Sequence, residues 1–71
     1  MNNMEIITFG DKDYYILKEK ESNSINYIYL SNVDNPKDIM IRKSSNKDKD
    51  LYVPLDGENE FNKACLLLFK N

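Results

Sequence analysis

The chain has 71 residues, 41% apolar and 31% charged, with ten basic side chains against twelve acidic ones and a net charge of −2. A chain of this length makes one domain, residues 1–71, with a small core, since it buries only about 60% of the surface its unfolded form exposes. The lack of histidine and the single cysteine, Cys65, exclude a disulfide framework and remove the commonest general base and the commonest metal ligand.

The N-terminus, MNNMEIITF, lacks the basic region and long apolar stretch of a signal peptide. The longest apolar run, Ala64 to Phe69, is far too short to span a bilayer, so a cytoplasmic location and no membrane contact are expected. Glu5 to Phe9 predicts a first strand ending at Gly10, and GDKD reads as the turn that follows. A second strand is expected from Tyr14 to Lys18 or Lys20, then a polar connection over EKESNSIN. In INYIYL, Ile25, Tyr27 and Tyr29 alternate with Asn26, Ile28 and Leu30. Apolar groups on both faces predict a central strand.

SNVDNPKD is a loop, because Asn35-Pro36 is a turn signal and Pro36 is excluded from a sheet interior. DIMIRK resumes alternation, with Ile39 and Ile41 on one face and Met40 and Arg42 on the other. SSNKDKD is a solvated tip. LYVPL then predicts a fifth strand with Leu51, Val53 and Leu55 inward, Tyr52 outward, and Pro54 marking an edge.

Asp56 is a suitable N-cap, and Glu58 and Glu60 place negative charge in the first turn of a helix. Spacings of three, four and seven from Phe61 group Phe61, Ala64, Cys65 and Leu68 as the stripe that packs on the sheet. Leu66 and Leu67 fall on opposite sides of that stripe, more than one small sheet can cover. The expected fold is α+β: a twisted antiparallel β-meander of four to five strands with one C-terminal helix packed on one face, the face of Ile39, Ile41, Leu51 and Val53.

The stretches DYYILKE, NYIYLSNVDNPKDIMIRK and LYVPLDGENEFNKACLLLFK, over residues 13 to 70, resemble the small proteins of domain of unknown function 1292, found mostly in Firmicutes. Tyr27, Leu30, Ile41, Leu55, Glu60 and Phe61 sit where that pattern wants them. The resemblance implies a fold and no activity.

No constellation for catalysis stands out, and the chain is read as a non-enzyme without cofactor, metal or small-molecule ligand. Cys65 lies mid-helix on the apolar stripe, the setting of a packed thiol and not of a nucleophile. The acids Asp48, Asp50, Asp56, Glu58 and Glu60 invite a calcium loop, but with Gly57 at its sixth position the loop would need Tyr52, Pro54 and Lys63 as ligands. Tyr14, Tyr15, Tyr27, Tyr29 and Tyr52 could stack bases, yet a basic groove is missing and Arg42 is the lone arginine. Nucleic acid is therefore not expected.

What remains is a non-catalytic protein-interaction module that uses its C-terminal helix and sheet tyrosines. Leu66, Leu67, Phe69 and Tyr52 are the candidate partner-binding residues. The expected occupant of that surface is a second copy, in a homodimer through the C-terminal helices, or else a different protein. The alternative is a small phage or mobile-element inhibitor that docks on a host enzyme such as a defence nuclease, in the manner of an anti-CRISPR.

Overall fold

A computed structural model describes residues 4–48 and 50–70. The first three residues, Lys49 in the expected tip and Asn71 lie outside the described residues. Five strands follow one another, β1 (Ile6–Phe9), β2 (Lys12–Ser22), β3 (Ile25–Asn32), β4 (Ile39–Ser44) and β5 (Tyr52–Pro54), and the helix α1 (Glu58–Phe69) closes the chain. Each strand pairs antiparallel with the next, in the spatial order β1-β2-β3-β4-β5, and the sheet curls into a half-barrel. The fold is α+β, an antiparallel meander with one C-terminal helix, as the alternation predicts.

Strand β2 runs further than its apolar residues indicate. The polar stretch Glu19 to Ser22 pairs with Ile28 to Ile25, so the expected connection is a strand, held by the apolar strand beside it. The turn contracts to Asn23 and Ser24, with φ of 54° and 67°. Two positive φ values in succession are the signature of a type I′ hairpin turn, whose right-handed twist matches that of its strands. At the other end of β2 a two-residue turn follows Phe9, with Gly10 at φ 65°, where an L side chain would be strained. A bulge interrupts the ladder between Ile16 and Lys18, leaving Leu17 as the extra residue.

β3 is the middle strand, and both its faces are covered. On one face Tyr27 joins Ile41, Ala64 and Leu68, with Ile25, Tyr29, Leu55, Cys65 and Leu67 around them. On the other, Ile28 and Leu30 join Tyr14, with Ile7, Phe9, Ile16, Met40 and Tyr52 around them. The curl supplies this second cover: Arg42 of β4 lies over the ring of Phe9 on β1, at 5.9 Å from its centroid. The sheet therefore buries its inner face against itself and its outer face against α1.

Several expectations about that outer face are corrected. Ile41 packs under the helix, but Ile39 and Leu51 are each about half exposed, at 51% and 55%. Leu51 belongs to the β4–β5 connection: its N–H donates to the Asp48 carbonyl and its carbonyl accepts from the Ser45 N–H. Helix α1 begins at Glu58 with Gly57 as its N-cap and no side-chain cap. Asp56, the expected cap, points its carboxylate to Lys43 instead. Glu60 takes over the reciprocal role, accepting the Asp56 N–H at 2.7 Å.

Candidate functional site

The roll of α1 decides which of its apolar side chains meet the sheet and which meet solvent. At its N-terminal end Glu60 is held by three groups at once. Oε2 accepts the Tyr27 hydroxyl at 2.9 Å, Lys43 Nζ donates to Oε1 at 2.9 Å, and the Asp56 N–H completes the set. Burial raises the cost of charging this carboxyl, but the Asp56 N–H, Lys43 and Tyr27 outweigh it and hold the pKa below the ordinary carboxylate value. At the C-terminal end Lys18 of β2 donates to the Leu68 carbonyl at 3.3 Å. That supplies the positive charge a helix C-terminus favours, since the last turn of α1 has no basic residue.

With both ends pinned, Ala64 and Leu68 form the buried line, at 1% and 2% exposure. Leu67 and Cys65 flank it half-buried, and Glu60 occupies the place expected for Phe61. Phe61 is 47% exposed and is not core, which overturns its assignment to the buried stripe. The polar anchor at Glu60 turns the helix so that the ring slides off the sheet's edge.

At about 100° per residue Leu66 lies about 160° from both Ala64 and Leu68. It lies on the side of α1 turned from the buried line, at the rim of the groove beside the β2–β3 hairpin, and is 65% exposed. Phe69 is 43% exposed, yet its ring is positioned: it meets Tyr29 edge-on with centroids 4.8 Å apart, and Lys18 Nζ stands 5.2 Å over it. Phe61, Cys65 and Phe69 follow one another at i, i+4 and i+8, so the exposed flank of α1 is apolar along its length. It continues onto the sheet, since Phe61 borders the same shallow depression as Ile39 and Ile41.

Of the four residues singled out from the sequence, Leu66 lines one groove with Leu67 and a second depression with Phe69, so Leu67 and Phe69 lie on opposite flanks of α1, and Tyr52 is separate from all three. Tyr52 lies on the inner face in the second cluster, where its hydroxyl accepts a 3.1 Å bond from Asn26 Nδ2. The tyrosines do not form a single platform. Tyr27 and Tyr29 lie under α1, while Tyr14 is buried on the inner face and donates to Asp38 at 2.7 Å. The hydrogen bond to Asp38 and then burial push the Tyr14 hydroxyl above its ordinary pKa, and burial with the Glu60 bond does the same for Tyr27.

Sequence reasoning passed over Phe61 and Ile39 as surface residues, because their spacing fits a buried stripe. It also passed over Lys18 and Lys20 of β2, at the end of the expected second strand where the polar connection was taken to begin. Among the described residues no three Cys, Asp or Glu side chains gather in a way that could hold a metal ion, and no helix is long and apolar enough to cross a membrane. Comparison with protein-family models, curated proteins and solved structures finds no significant match to this chain.

Proposed function

We propose that the chain is a non-catalytic protein-interaction module whose contact surface is the outer flank of α1, formed by Leu66, Phe69 and Phe61 with Ile39 beside them. The observation that carries this reading is the exposed apolar row itself. Leu66 at 65% exposure adjoins Phe69 at 43%, three residues on, and Phe61 at 47% lies two turns before Phe69 beside Ile39; apolar surface exposed on this scale on so small a protein marks a contact site. The two aromatic rings supply large contact areas at low entropic cost. Membership of the domain of unknown function 1292 group and a cytoplasmic location belong to the same proposal and add no chemistry to it.

The test compares the wild-type chain with Leu66→Asp, which is expected to fold because Leu66 is 65% exposed and belongs to neither core cluster. Sedimentation velocity over a wide concentration range reads self-association, and affinity capture from the host-cell lysate reads a different partner. The reading expects an association that the variant loses. A chain that stays monomeric and retains no protein in a Leu66-dependent manner overturns it.

A further inference from the structure

The charges of β2 alternate as Lys18, Glu19, Lys20 and Glu21, and the bulge at Leu17 decides which face receives which sign. Before the bulge, Ile16 stands opposite Leu30 on the inner face; after it, Lys18 stands opposite Tyr29 and Lys20 opposite Tyr27 on the helix side. Without the extra residue, strict alternation would put both lysines on the face of Ile16. With it, they share a face with α1, and Glu19 and Glu21 project from the reverse side opposite Ile28 and Asn26.

Helix α1 adds Lys63 to the same side, and Lys70, its C-cap, lies there too. Between α1 and the β2–β3 hairpin runs an open groove of about 660 Å³, walled by Ile25, Leu66 and Leu67 and edged by Lys20, Lys63 and Lys70. None of these three lysines is in an ion pair among the described residues. Glu60 also borders the groove, but both its oxygens are engaged, with Tyr27, Lys43 and the Asp56 N–H. A chain of net charge −2 thus sets three lysines, none of them paired among the described residues, around a mostly apolar floor.

We infer that this groove docks an acidic, amphipathic segment of a partner protein. Its apolar side chains lie against Ile25, Leu66 and Leu67, and its carboxylates meet Lys20, Lys63 and Lys70. The inference rests on the reading of the chain as an interaction module and names the chemistry of its partner. An enclosed small-molecule site buries most of its ligand, whereas this groove is open along its length. Single-stranded nucleic acid needs exposed aromatic faces for stacking; the one ring that lines this groove, Tyr27, is buried at 8% exposure with its hydroxyl bound to Glu60.

The test titrates the full chain, observed by methyl NMR, with a synthetic peptide of about 15 residues that carries leucines at helical spacing and glutamates between them. A counterpart with lysines in place of the glutamates is the control. The acidic peptide is expected to shift the methyl signals of Ile25, Leu66 and Leu67. Its affinity should fall about tenfold in the combined Lys20→Glu, Lys63→Glu, Lys70→Glu variant and severalfold as salt rises from about 0.05 to about 0.3 M. Equal binding of the lysine peptide overturns the inference, as does undiminished binding by the triple variant or preferential binding of oligothymidylate or anionic phospholipid vesicles at the groove. A Leu66-dependent association that survives the triple variant overturns the acidic segment alone and leaves the module reading standing.

Discussion

The hydroxyl of Tyr27, in the middle of β3, donates a 2.9 Å hydrogen bond to Oε2 of Glu60 in the first turn of α1. This ties the central strand to the helix packed on it through a carboxylate that also receives Lys43 and the Asp56 N–H. It sets the roll of the helix, and with it the identity of the exposed apolar row.

Glu60→Ala should therefore cost about 1–3 kcal/mol, since it strands the Tyr27 hydroxyl under the helix without its acceptor. Tyr27→Phe should cost less, because Glu60 keeps its other two partners. Urea unfolding of the two variants checks the order through their midpoints. A Glu60→Ala midpoint equal to wild type would show that the helix is held by apolar packing alone.

Leu68 and Phe61 should respond to truncation with losses of very different size. Leu68→Ala removes a side chain that is 2% exposed and should cost about 2–5 kcal/mol, enough to unfold a marginal domain. Phe61→Ala removes a half-exposed ring, and its cost should stay below about 1 kcal/mol. Thermal melts of both variants decide the matter, and a larger loss for Phe61 would contradict the observed roll of α1.

Ser24 occupies the second central position of the β2–β3 turn at φ 67°, where an L residue is strained by roughly 1–2 kcal/mol. Ser24→Gly produces the Asn-Gly pair that this turn type prefers. The relief is partly offset by the freer unfolded chain, leaving an expected gain of about 0.5–1 kcal/mol. A lower melting temperature for the variant would count against the positive φ.

The pH profile follows from five groups. Asp38 is held below its ordinary value of 3.8 by hydrogen bonds from Tyr14 and Asn32, and Glu60 lies below its ordinary 4.5 for the reasons given above. Depressed carboxyl values mean stability that is present above the ordinary values and lost as pH falls through the folded ones. Lys43 is raised above its ordinary 10.5 by Asp56 and then Glu60, and Tyr14 and Tyr27 are raised above 10.0. Raised values mean stability that is complete below the ordinary values and lost as pH climbs through the folded ones. Melting temperatures should form a plateau between about pH 4.5 and about pH 10 and decline on both sides. A rise in melting temperature on acidification below the carboxylate range would refute the Glu60 and Asp38 pairings.

The sequence by itself determined the five strands, their antiparallel order, the central place of β3 and the presence of a C-terminal helix with more apolar surface than the sheet can cover. Those features follow from period and turn chemistry, which act between near neighbours. Tertiary structure decided the rest. Glu19 to Ser22 is a strand because β3 lies alongside to complete its hydrogen bonds. The bulge at Leu17 becomes evident only when the Ile16–Leu30 and Lys18–Tyr29 pairs are seen together, and it sorts the lysines of β2 from its glutamates. The helical wheel assigns Phe61 to the buried face, but Glu60 stands in that place. Lys43 and Tyr27, far away in the chain, decide this by drawing the carboxylate inward and leaving the ring outside.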